Sequence, residues 1–142
     1  MKTSTKIWIS VGIVVLLIAF SLIGYYNGFV TLDQNVQKSW SEVESQYQRQ
    51  ADLIPNIVSV VSSAIKTEIK FVKEVTEART AWQSAATSLA KDTAGQQMNN
   101  GLSAFVNAVS ENYPLLQANK QYAALTDELS GTQNRITTAR GR

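Results

Sequence analysis

Seventeen consecutive residues without a charge, Ile7 to Ile23 (IWISVGIVVLLIAFSLI), constrain this chain more than any other feature. As a helix the run spans roughly 26 Å, and about 30 Å when Gly24, Tyr25 and Tyr26 are added, which matches the hydrocarbon core of a bilayer. Trp8 at one end and Tyr25 and Tyr26 at the other fit the interfacial belt that amphipathic rings prefer. The competing reading is a buried helix of a soluble core, and the run's place behind basic residues at the N-terminus argues against it. Ala19-Phe20-Ser21 has small residues of the kind a signal peptidase needs, but the run is longer than a usual signal core and continues past that point, so an uncleaved anchor is expected. Lys2 and Lys6 precede the span and the next cation is Lys38. The positive-inside rule then predicts a cell-membrane protein that crosses once, with its N-terminus cytoplasmic and the remainder outside.

The remainder is electrically balanced. Formal charge is +2 from 13 basic and 11 acidic residues, and setting aside Lys2 and Lys6 leaves eleven of each from Asn27 onward. Nucleic acid calls for a clustered basic face, so it is not an expected partner. Cysteine and histidine are both absent, which excludes thiol chemistry, disulfides, Cys/His zinc sites and histidine-based triads. Glycine and proline are few and no strand-like alternation lies between turn signals, so the chain reads as all-α. The anchor is placed at residues 1–27, and a single helical domain, large enough for a usable core, at 28–142.

Leu32, Val36, Trp40, Val43, Tyr47, Ala51 and Ile54 recur at steps of three and four, one face of a helix, with charged and amide side chains opposite. Trp40 and Tyr47 are read as packing residues of a bundle seam. Asn27-Gly28 is a hinge candidate, and Thr31 with Gln34 has the form of a capping box. Pro55 lacks a donor and disfavours helical geometry at Ile54, so a break is predicted within about two residues of Asp52, with Asp52 capping the next helix. A reversal there would pack Trp40, Val43 and Tyr47 against Ile57 to Ile65.

The second helix is predicted from Ile57 to Leu89, its stripe including Ile69, with Lys66, Lys70, Lys73, Glu74 and Glu77 largely on the wet side. A loop is expected at Lys91 to Gly95, which is polar and ends in glycine. Met98, Leu102, Phe105, Val106 and Val109 give a third helix that stops at Asn112-Tyr113-Pro114. Tyr122, Leu125, Leu129, Thr132, Ile136 and Ala139 alternate by threes and fours in a fourth, as a bundle or coiled-coil seam requires. Trp40, Val43, Tyr47, Ile57, Val61, Leu125, Leu129 and Ile136 are expected to share one core.

Acidic groups are the only candidates for acid/base or metal work, and they are scattered. Di-iron bundles need Glu-x-x-His, which cannot occur here, and neither a phosphate loop nor a nucleophile elbow is present. No catalytic residue, cofactor or metal is expected. Arg49, Asp52, Asn56, Asn134 and Arg135 are the polar residues singled out, as a structural network of caps and clamps or as plain exposed charge, with a small-ligand site as the alternative.

Trp40-Ser41-x-Val43, Gln50-x-Asp52-Leu53-Ile54-Pro55-Asn56-Ile57-Val58, Glu77-Ala78-Arg79, Tyr113-Pro114 and Asn134-Arg135-Ile136 together resemble the LemA family of membrane-anchored bacterial helical proteins. The resemblance runs from about Tyr25 to Arg140, and Asp52 to Asn56 is its most specific piece. It implies an N-terminal transmembrane helix followed by an up-and-down four-helix bundle, and no established enzymatic activity. In that family the last helix usually runs on for several more turns and a tail, so the expectation is either a fragment or a bundle short at one end, with part of the second helix lacking its usual cover. Partners expected for such a chain are the lipid bilayer and other membrane or envelope proteins, including copies of itself. The role expected is interaction or scaffolding, the alternative being a sensory or ligand-binding bundle that relays to a separate membrane protein.

Overall fold

A computed structural model describes residues 3–65 and 70–141. Four α-helices account for most of them: α1 (Thr3–Ala64), α2 (Lys70–Ser84), α3 (Ser88–Asn112) and α4 (Lys120–Arg140), with a 3₁₀ turn at Pro114–Ala118 between the last two. The chain divides into two compact units, residues 1–38 and 39–142.

In the first unit α1 is exposed on all sides, and its large apolar side chains from Ile7 to Ile23 are 48% exposed or more. Asn27 and Gly28 do not interrupt it. Thr31 donates its hydroxyl back to the carbonyl of Asn27 at 2.9 Å, an interior-helix contact in place of the expected cap. Leu32 and Val36, read as the start of the bundle seam, are 62% and 66% exposed and lie in this unit.

The second unit is a bundle of four helical segments, the first being residues 39–64 of α1. Contacts rise in step along α1 and α3, with Glu44 beside Lys91, Tyr47 against Gly95 and Gln50 on Asn99, so these two run parallel. Asp92 meets Arg140 and Ser103 meets Gln133, which sets α4 antiparallel to α3. With α2 returning through the short link at Ala85–Thr87, the topology is up-and-down.

Two of the helix starts are written locally. Thr87, extended at φ −111° and ψ 154°, accepts from the Ala90 amide at 3.1 Å, and the Asn119 side chain accepts from Gln121 and Tyr122 at 2.9 and 3.1 Å. Helix α3 stops where Pro114 forces Tyr113 out of helical geometry, and Pro114 then sits at the start of the 3₁₀ turn, where its missing donor costs nothing.

The core gathers Val43, Tyr47, Ala51, Ile54, Ile57 and Val61 from α1, Val75 and Trp82 from α2, Met98, Leu102, Phe105 and Val109 from α3, and Tyr122, Leu129 and Ile136 from α4. Six of the eight residues expected to meet are fully buried, and Trp40 and Leu125 pack against them half-buried. Each fully buried aliphatic or aromatic side chain contributes roughly 1.5–3 kcal/mol.

The predicted break at Asp52 does not occur. Helix α1 continues through Pro55 to Ala64, and Asp52 is an exposed interior residue that accepts from Gln48 one turn earlier at 2.9 Å. The helix reversal falls after Ala64 instead, so Ile57 to Ala64 extend the first helix, and the second is the fifteen-residue α2. Lys66 and Ile69 lie outside the described residues. The loop expected at Lys91–Gly95 is also absent, because α3 starts at Ser88 and runs through both residues, while Leu89 is 79% exposed rather than on the buried stripe.

Candidate functional site

Polar side chains tie all four helices together around Tyr47. This residue lies on the seam of α1 and is 1% exposed, yet its hydroxyl reaches the Arg140 guanidinium at 3.3 Å. Arg140, in the last turn of α4, also donates to Asp92 of α3 at 3.2 Å. Burial pushes the Tyr47 phenol above its ordinary range; the nearby Arg140 charge pulls it partly back and Asp92 adds to the rise.

On the neighbouring face Lys91 forms an ion pair with Glu44 while its ammonium stands 5.6 Å from the centre of the Trp82 ring, joining α1, α2 and α3 through one cation. Gln50, wholly buried, donates to Asn99 at 3.0 Å, and Gln133 donates to Ser103 at 2.9 Å. Arg49 closes the ring with two bonds to Glu128 of α4 at 2.9 and 2.6 Å, but both partners are substantially exposed, so the pair contributes at most about 1 kcal/mol. Taken together these contacts fix the helices against one another. Every cation named here has a specific acceptor or ring as its partner.

One further clamp explains why Pro55 does not end the helix. A proline leaves the carbonyl four residues earlier without its helical donor, which here is Ala51. Ala51 is fully buried and cannot turn to water, and Arg79 of α2 donates its Nε to that carbonyl at 2.8 Å. The guanidinium takes the place of the missing amide.

The five polar residues singled out do not form one network, and exposure at the surface describes all of them. Arg49 pairs with Glu128 and Asp52 with Gln48, whereas Asn56, Asn134 and Arg135 are exposed on the bundle surface, Asn134 engaging Thr138 only through its backbone carbonyl. The groups that do meet are Glu44, Tyr47, Gln50, Arg79, Lys91, Asp92, Asn99 and Arg140. Sequence carried one trace of them: Gln50 is an amide beside seam positions Tyr47, Ala51 and Ile54, and an amide so placed must find a partner inside.

A recess of about 460 Å³ opens where α1 ends and α3 gives way to the 3₁₀ turn, lined by Ala64, Ile65, Asn112, Tyr113, Pro114, Leu115, Leu116 and Asn119. Its walls are mostly apolar, with two asparagines able to donate and accept.

A four-helix up-and-down bundle, closed by inter-helix clamps and carrying an apolar N-terminal helix, is the class that these observations define. The family model of the LemA family matches residues 39–142, and the chain belongs to that family. The match begins where the second compact unit begins. A search of curated proteins finds no match.

Proposed function

We propose that the chain is a single-pass, membrane-anchored helical bundle that acts by interaction or scaffolding at the membrane and catalyses no reaction. The observation that carries this reading is the segment in α1 with a mean hydropathy of 2.7 and no part of it buried within the protein. An apolar surface of that extent requires cover, and a bilayer supplies it over the length that Ile7 to Tyr26 can span. Lys2 and Lys6 ahead of the span favour a cytoplasmic N-terminus and an extracytoplasmic bundle. From Asn27 onward acidic and basic residues balance, in keeping with protein partners, a second copy included. Alkaline carbonate extraction of membranes tests the anchor: retention in the pellet is expected, and release into the supernatant would overturn it.

A second reading, a ligand-sensing bundle that relays to a separate membrane protein, draws on the recess beside Asn112 and Asn119. A thermal-shift screen of small amphipathic compounds separates the two, because stabilisation abolished by Leu116→Trp would favour sensing.

A further inference from the structure

Helix α1 lacks one of its own backbone hydrogen bonds, and a side chain of another helix supplies the donor. The Ala51 carbonyl has lost its donor to Pro55, and its substitute comes from Arg79, 28 residues further along the chain. Proline inside a helix ordinarily bends it, both by the lost bond and by the clash of its ring with that same carbonyl. Hence the continuity of α1 through Pro55 depends on the seating of α2.

We propose that Arg79 is a latch: while it holds the Ala51 carbonyl α1 runs unbroken through Pro55, and when α2 draws it away α1 bends there. The segment beyond the bend carries Ile57 and Val61 of the core, and Ala64 and Ile65 of the recess wall. Movement of α2 is thereby converted into a change in the width of that recess. The latch is a guanidinium, and it responds to the position of α2. Its charge also makes it a stronger donor than the amide it replaces.

The sequence has no cysteine, so paired spin labels can be placed uniquely by Ser45→Cys and Ser62→Cys, both exposed and on either side of Pro55. In the full-length protein in detergent the pair should give one narrow distance distribution, near the roughly 26 Å that 17 helical residues span plus the label tethers. Arg79→Ala should shorten and broaden it. Pro55→Ala alone should leave it as in the unsubstituted protein, and Arg79→Ala with Pro55→Ala should restore the narrow distribution, because residue 55 then supplies its own amide. An unchanged distribution in Arg79→Ala would overturn the latch, as would failure of Pro55→Ala to restore it. Should Arg79→Ala not fold, melting temperatures decide: Arg79→Lys is expected to lower the midpoint less in the Pro55→Ala background than in the native one, and equal losses in the two backgrounds would refute the proposal.

Discussion

Gly95 and Tyr47 are matched by absence: a Cβ on Gly95 would lie 2.7 Å from the Tyr47 ring, closer than real carbon atoms approach. The glycine is helical and needs no unusual backbone angle. Its role is to let α3 come up against the aromatic face of α1.

Gly95→Ala is accordingly expected to destabilise the bundle by about 1–3 kcal/mol, the cost of forcing a fully packed ring to shift. Gly131→Ala in α4, where an added Cβ meets nothing within 4 Å, should stabilise by about 0.5–1 kcal/mol through helix propensity. Chemical denaturation of both variants measures the contrast, and a gain in both would contradict the close approach.

Leu129 is 4% exposed in the core, so Leu129→Ala should cost about 2–5 kcal/mol. Lys73→Ala removes only an exposed pair with Glu77 at 3.8 Å and should cost about 0.5 kcal/mol or less. Thermal melts that ranked the two in the opposite order would refute the burial pattern.

Asn119 holds two free amides at the start of α4, and Asn119→Ala should cost about 1 kcal/mol, with Asn119→Asp or Asn119→Ser retaining most of the stability. Hydrogen exchange at Gln121 and Tyr122 locates the loss: faster exchange is expected there first.

Burial raises the phenol pKa of both Tyr47 and Tyr122 in the folded protein. The native state therefore keeps these protons at a pH where the unfolded chain, with ordinary phenols near pH 10, has released them. Stability from this source is complete below about pH 10 and is lost as pH rises through the folded values. Tyr47→Phe should flatten the decline of stability above about pH 10, measured by urea unfolding at stepped pH. A decline as steep as in the native protein would remove Tyr47 from the explanation.

How much of this was legible in the sequence follows from the range of each signal. The apolar run, the all-α class, the end of α3 at Tyr113-Pro114 and the seam of α4 rest on local periodicity or on Pro114's effect on its neighbour, and all appear in the structure. Proline and glycine usually break helices, so local pattern alone predicts breaks at Pro55 and Gly95. Each is instead accommodated by a residue far away in the chain, Arg79 for the first and Tyr47 for the second, and a local pattern carries no record of such partners. The polar constellation was missed for a similar reason. Asn56, Asn134 and Arg135 flank a proline or sit mid-helix and end as exposed side chains, whereas the groups that pair across helices, Glu44 with Lys91 and Asp92 with Arg140, lie far apart in sequence and carry no local mark of pairing.

Gln50 and Asn99 bring a different consequence. Their amides meet between α1 and α3 with Gln50 wholly buried, and the Gln50 Oε1 has no hydrogen-bond partner among the described residues. An all-aliphatic interface could slide by a turn and still bury its methyl groups, but a slide here would strand the buried Gln50 amide away from the half-buried Asn99. The pair makes one alignment of the parallel helices much cheaper than its neighbours, at some cost in total stability. Leucines at both positions should raise the melting temperature while broadening the side-chain NMR resonances of the core, the mark of a bundle that holds together more tightly but no longer chooses a single arrangement.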